Sequence, residues 1–67
     1  MRVLVIGLGS IGRRHIKNLK SLGCTVEGWD TDTSTRDQAH IELGLSVKRP
    51  DLSHWEKFDC CLICTPP

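Results

Sequence analysis

The sequence predicts an α/β fold with a parallel sheet, and three observations support this prediction. Residues 3–6 form an apolar run with two β-branched valines, as expected for a strand that is buried on both faces. A glycine-rich turn follows this run directly, and an amphipathic segment follows the turn. The order of strand, turn and helix then repeats, which is typical of parallel strands connected by helices.

The turn after the first strand carries a Gly-x-Gly-x-x-Gly motif. We interpret Gly7 as the residue that permits the tight turn, and Gly12 as the residue that lets the helix pack close to the strand. Gly9 has no Cβ, so a pyrophosphate can approach the backbone there. Free N–H groups at the start of the helix would point at these phosphates, and the helix dipole favours their negative charge. The predicted phosphate-binding residues are Gly7, Leu8, Gly9, Ser10, Ile11 and Gly12.

An acidic residue strengthens this motif, which is weak on its own because glycine-rich turns are common. Asp30 stands eighteen residues after Gly12, at the end of the second apolar run. Dinucleotide-binding folds place an acid about 20 residues after the glycines, where it hydrogen-bonds the adenosine ribose. Strand, helix and acid together therefore predict a dinucleotide site.

The same acid predicts which dinucleotide is bound. A carboxylate at Asp30 repels a 2′-phosphate, so NAD is favoured over NADP. Arg36 could soften this preference, because an arginine near the site can accept the phosphate. We interpret Asp32 as a turn residue and helix cap rather than a second ribose ligand.

The remaining pattern predicts βαβαβ followed by one more strand. The predicted elements after the first strand are a helix over Ser10–Leu22, a strand over Cys24–Trp29, a helix ending near Leu43, a short strand over Leu45–Lys48, a helical turn or loop over residues 52–58 and a strand over Cys60–Cys64. Right-handed crossovers place these strands in the order 3-2-1-4, a partial Rossmann-type doubly wound sheet. The ligand crevice then lies between the loops at residues 7–12 and 65–67.

Length and composition indicate one small domain. The chain has 67 residues, of which 39% are hydrophobic and 25% charged, and its net charge is +1. This balance gives no electrostatic argument for nucleic acid or a membrane as a partner. No segment approaches the roughly 20 apolar residues of a membrane span, and the first apolar run is too short for a signal-peptide core, so we expect a cytoplasmic protein. The last strand is apolar on both faces, with nothing after it to cover it or pair its outer edge. We therefore expect residues 1–67 to be the N-terminal part of a longer protein.

Other residues that often carry chemistry have simpler interpretations here. Cys61 and Cys64 form a Cys-x-x-Cys spacing, but i and i+3 point to opposite faces of a strand, so we expect buried structural thiols. His15 falls on the apolar side of the first helix, where we expect a packed residue. His40 and His54 have no partner at a ligand spacing, so no metal site is predicted.

Three segments resemble the Gfo/Idh/MocA oxidoreductases, named for glucose–fructose oxidoreductase, inositol dehydrogenase and a rhizopine-catabolism protein. Residues 7–15, GLGSIGRRH, are similar to the opening motif of that family. Residues 29–32, WDTD, resemble the acidic end of its second strand. Residues 59–67, DCCLICTPP, resemble its acid, apolar strand and Thr-Pro loop.

The resemblance implies a two-domain oxidoreductase. In that family the N-terminal domain binds NAD or NADP, and a C-terminal α/β domain holds the substrate, often a sugar or cyclitol. Hydride passes between the substrate carbon and the nicotinamide. The resemblance places Thr65 and Pro66 beside the nicotinamide half of the cofactor. It also implies a homo-oligomeric parent whose acid–base residues lie beyond Pro67, so no catalytic residue is predicted in this chain.

We therefore expect the isolated 67-residue chain to lack dehydrogenase activity and to be poorly stable or self-associating. Two other functions share a strand, a glycine turn and a helix. One is a regulatory NAD-binding module without catalysis, and the Thr-Pro end of the sequence argues against it. The other is an enzyme that uses a flavin or S-adenosylmethionine.

Overall fold

The computed structural model describes residues 1–49, 51 and 55–65. Its elements are β1 (Arg2–Ile6), α1 (Ser10–Ser21), β2 (Thr25–Trp29), α2 (Thr33–Leu43) and β3 (Cys60–Ile63). The three strands form one parallel sheet in the order β2-β1-β3, with Val5 paired to Gly28 on one side and to Leu62 on the other. This arrangement confirms the predicted partial Rossmann-type α/β fold.

The predicted third strand is reduced to a single contact. Within Leu45–Lys48 only Ser46 pairs with β2, through a parallel bridge to Glu27, and its carbonyl accepts a hydrogen bond from the Gly28 N–H at 3.0 Å. Beside this bridge, the Leu45 carbonyl accepts a hydrogen bond from Nδ1 of His40 at 2.9 Å, which connects the segment to α2. The segment therefore lies at the predicted side of β2 without forming a strand.

The core lies on one face of the sheet, under both helices. It is formed by Val3, Val5, Leu8, Ile16, Val26, Ala39 and Leu45. Gly28 makes this packing possible, because a Cβ there would lie 2.7 Å from side-chain carbons of both Leu8 and Leu45. Leu4 points to the opposite face of the sheet and is also buried.

Helix α1 packs only a narrow stripe of side chains against the sheet. Gly12 and Ile16 are buried, and Leu19 packs against the core. By contrast, Ile11 is 65% exposed, Leu22 is 78% exposed and His15 is also exposed. The packed position predicted for His15 is therefore wrong. Leu22 lies beyond the last helical residue and Ile11 borders the crevice described below, so neither residue faces the sheet.

The burial predicted for the cysteines holds only in part. All four thiols are free, and Cys24 and Cys64 are half-buried. Cys60 and Cys61 are exposed, because β3 is the outer strand of the described sheet and its side chains there are only partly covered. Partial burial, followed by the neighbouring Cys60, raises the pKa of the Cys61 thiol. Neither helix of the described residues has the length and hydropathy needed to cross a lipid bilayer.

Helix α2 begins and ends as the sequence predicts. Asp32 is its N-cap and accepts a hydrogen bond from the Thr35 N–H at 2.9 Å. Gly44 follows the last turn in the left-handed conformation, at φ 62°. Hydrogen bonds from the Thr35 and Ser34 hydroxyls and the Thr35 N–H hold the pKa of the Asp32 carboxyl below its ordinary value of 3.8.

The cap predicts a pH dependence of stability. Since the folded-state pKa of Asp32 is lowered, ionised Asp32 contributes its stabilisation above the unfolded pKa, and this contribution is lost as the pH falls through the folded pKa. We expect Asp32→Ala to lower the melting temperature at neutral pH. The matched variant Asp32→Asn should keep much of the cap but lose its pH dependence. Thermal unfolding followed by circular dichroism between about pH 2 and pH 6 tests this; identical pH profiles for the wild type and Asp32→Asn would contradict it.

Candidate dinucleotide-binding crevice

A crevice of about 650 Å³ opens at the carboxyl ends of the strands. Ligand pockets of proteins typically have volumes of roughly 300–1,000 Å³. Parallel α/β sheets bind ligands at this edge. The crevice is lined by Gly7, Gly9, Ser10, Ile11, Asp30, Thr31, Thr35, Cys64 and Thr65. It thus brings together the glycine motif, the acid at the end of β2 and the loop after β3, which are far apart in the sequence.

Gly7 is the first residue of the turn between β1 and α1. Its φ of 100° is rarely adopted by residues with a side chain. A Cβ there would also lie 2.7 Å from the Cys64 carbonyl carbon and 2.8 Å from the Thr65 nitrogen. Gly7 therefore has two functions: it turns the chain, and it lets the loop after β3 approach the glycine motif.

Gly9 occupies the N-cap position of α1 and faces open space. Among the described residues, no side chain caps this helix, and nothing beyond Gly9 and its two chain neighbours lies within 4 Å of where a Gly9 Cβ would stand. The first intrahelical bond is donated by the Arg13 N–H to the Gly9 carbonyl at 2.9 Å. The preceding N–H groups of the helix lack intrahelical acceptors, as at every helix start. The geometry thus leaves donors and space together at one end of a helix dipole, which suits an anion.

Gly12 is needed for a different reason. A Cβ at Gly12 would lie 1.9 Å from the Gly7 carbonyl oxygen and 3.6 Å from Cβ of Cys64. The first turn of α1 therefore rests directly on the backbone of the preceding turn. The sequence predicts a close approach of helix and strand at this glycine, and the structure shows that the contacting group is the Gly7 carbonyl.

Asp30 connects the end of β2 to the glycine motif. Its Oδ2 accepts a hydrogen bond from the Leu8 N–H at 2.9 Å, and its Oδ1 accepts from the Asp32 N–H at 2.9 Å. The side chain of Leu8 is fully buried in the core. The N–H of Leu8 is thus already engaged, and Leu8 contributes to the site through this link. Each carboxylate oxygen keeps a second lone pair for a ligand hydroxyl.

Arg36 lies beside the same acid, in the first turns of α2. Its Nη1 donates to the Asp30 carbonyl at 2.7 Å, and its Nη2 donates to the Thr33 hydroxyl at 3.1 Å. Its guanidinium stacks 4.4 Å from the centre of the Trp29 ring, which is a cation–π contact. Trp29 therefore holds the arginine in place.

The loop after β3 supplies the opposite wall of the crevice. Thr65 faces a smaller hollow of about 230 Å³, shared with Trp29 and Asp30. The position predicted for Pro66 lies outside the described residues. Sequence reasoning missed Thr31, Thr35 and Cys64 as lining residues. Thr31 and Cys64 are direct neighbours of predicted residues, whereas Thr35 comes into place only through the first turn of α2.

Comparison with known proteins supports the fold. The chain is similar to the solved structure of the UDP-N-acetylglucosamine 3-dehydrogenase GnnA from Acidithiobacillus ferrooxidans, with a TM-score of 0.81 and 24% sequence identity. The match covers 98% of this chain and 22% of that chain, so this chain spans about a fifth of the dehydrogenase. No family model and no curated protein sequence matches. At this identity the likeness establishes a shared fold.

Gly12 and Gly9 predict different outcomes for the same substitution. Gly12→Ala should lower the free energy of unfolding by about 2 kcal/mol or more, because the methyl group would collide with the Gly7 carbonyl. Gly9→Ala is the matched control, since its φ of −68° suits alanine and its Cβ meets nothing within 4 Å. Its effect should stay within about 0.5 kcal/mol. Denaturant unfolding measures both, and equal losses would show that the close packing at Gly12 is not required.

Proposed function

We propose that this chain is the dinucleotide-binding part of an NAD(P)-dependent oxidoreductase. The observation that carries the proposal is the open space beside the Gly9 backbone at the start of α1, in the same crevice as Asp30. A pyrophosphate bound there would accept hydrogen bonds from the first N–H groups of α1. The likeness of the fold to that of a sugar-nucleotide dehydrogenase supports the same class.

The adenosine half of the cofactor would lie on the β2 side of the crevice. Asp30 would accept hydrogen bonds from the ribose hydroxyls while keeping its bonds to the Leu8 and Asp32 N–H groups. This carboxylate disfavours a 2′-phosphate, whereas Arg36 would attract one. Because two donors of Arg36 are already bound to Asp30 and Thr33, we propose NAD as the preferred cofactor, with NADP as the weaker one.

The nicotinamide half would lie on the β3 side, next to Thr65. Nicotinamide supplies the hydride chemistry, and the chain's own residues bind and orient the cofactor. The dehydrogenase with the similar fold is several times longer than this chain. We accordingly propose that a substrate domain outside these residues holds a sugar, cyclitol or similar hydroxy or carbonyl compound and supplies the acid–base groups. The protein would work in the cytoplasm, as a homo-oligomer.

The proposal predicts that Gly9→Val weakens binding of NADH by at least about tenfold in a protein that remains folded. The branched side chain would fill the open space where the pyrophosphate meets the backbone. Titration calorimetry with NADH measures the affinity, and circular dichroism checks the fold. Wild-type affinity in the folded Gly9→Val variant would refute the assignment of the phosphate site.

A second prediction concerns cofactor choice. Wild-type protein should bind NADH more tightly than NADPH, and Asp30→Ser should weaken NADH binding by about tenfold, because a hydrogen bond to a charged group is lost. The gap to NADPH should narrow at the same time. Asp37→Ser is the control, since it removes an exposed acid from α2 without touching the crevice. Fluorescence titration with both cofactors gives the dissociation constants; equal wild-type affinities for the two would contradict the role of Asp30.

A further inference from the structure

A second groove, of about 480 Å³, lies along the outer side of α1. It is lined by Ser10, Ile11, Arg13, Arg14, Lys17 and Glu42. Ser10 and Ile11 also line the crevice at the carboxyl ends of the strands. The groove and the crevice therefore meet at the start of α1, where the phosphate site is proposed.

The charge of this region differs from that of the whole chain. Helix α1 contains Arg13, Arg14, Lys17 and Lys20, which are four of the nine lysines and arginines. It contains none of the eight aspartates and glutamates. Although the net charge of the whole chain is only +1, the helix next to the crevice is strongly basic.

The cations of α1 are only partly neutralised. Nη1 of Arg13 lies 2.6 Å from Oε2 of Glu42, and Nζ of Lys17 lies 3.8 Å from Oε1 of the same carboxylate. Arg14 pairs with no carboxylate within the described part of the chain. The groove therefore contains three cations and one acid, Glu42, which pairs with Arg13 and Lys17. The surplus positive charge is carried by Arg14 and the largely exposed Lys17.

We propose that this basic groove is an electrostatic capture surface that draws the anionic dinucleotide into the crevice. The inference rests on the proposed function, and it adds a kinetic role for Arg14 and Lys17 that is separate from holding the bound cofactor. A cleft or surface of one charge raises the local concentration of an oppositely charged ligand and increases its association rate. Because the groove runs into the start of α1, a dinucleotide caught there by its pyrophosphate has a short path to Gly9.

The expected size of the effect follows from Coulomb's law. One protein charge acting on a doubly charged pyrophosphate about 10 Å away in water changes the association rate about threefold at 10 mM ionic strength. At 0.15 M salt, screening reduces this change to less than about twofold. The dissociation rate should not change, because neither side chain contacts the bound cofactor in this proposal.

Stopped-flow fluorescence with NADH tests the inference on the full-length protein. The variants are Arg14→Gln and Lys17→Gln, each measured at about 10 mM and 150 mM salt. The matched control is Lys57→Gln, which also removes one positive charge. Lys57 is exposed and lies just before the first residues of β3, at the opposite end of the strands from the crevice.

The inference predicts slower association for Arg14→Gln and Lys17→Gln at low salt, wild-type association for Lys57→Gln, and convergence of all four proteins at high salt. Association rates equal to wild type in every variant would overturn it. A change confined to dissociation would also overturn it, since the two residues would then be direct ligands of bound cofactor. A wild-type protein that binds no NADH would instead refute the proposed function, so the two failures are distinguishable.

Discussion

Close backbone packing around Gly7 is the constraint on which the rest of this structure depends. Two chain segments meet there within contact distance of the same residue: the first turn of α1 at Gly12 and the loop after β3 at Cys64 and Thr65. Hydrogen bonds continue the junction on both sides, from the Gly7 N–H to the Trp29 carbonyl at 2.8 Å and from the Cys64 N–H to the Ile6 carbonyl at 2.7 Å. A side chain at Gly7 or Gly12 would push the helix and the loop after β3 away from the turn, and this would change the shape of the crevice.

The same junction explains why one short motif contains three glycines. Gly7 has a backbone conformation and a close neighbour that each exclude a side chain, and Gly12 has only the close neighbour. Gly9 has neither restriction, since its φ is ordinary and its surroundings are open. This open position at the N-cap of α1 is the basis of the proposed phosphate site, since a bound phosphate would need the space. The proposed phosphate site thus follows from a contrast between residues of the same type.

Electrostatics acts on the crevice at two ranges. At contact distance, the two carboxylate oxygens of Asp30 accept hydrogen bonds from the Leu8 and Asp32 N–H groups. These bonds fix the position of the carboxylate. Arg36 is fixed in a similar way by Trp29 and the Asp30 carbonyl. At longer range, the basic surface of α1 would act on an approaching anion, as the capture proposal requires. Short contacts of this kind select the ligand, whereas the long-range field changes how often it arrives.

The sequence by itself determined the class of fold and the two helices with the cap of α2, because local periodicity and turn chemistry encode these features. It also placed Gly7 in the turn after β1, Gly12 at the start of α1 and Asp30 at the end of β2. Only the tertiary structure showed that Leu45–Lys48 makes one bridge, that His15 and Ile11 are exposed, and that Thr35 reaches the crevice. These outcomes depend on contacts between separate elements, such as the bridge of Ser46 to Glu27 on β2. The contact between Gly7 and Thr65 likewise joins residues that no local pattern connects.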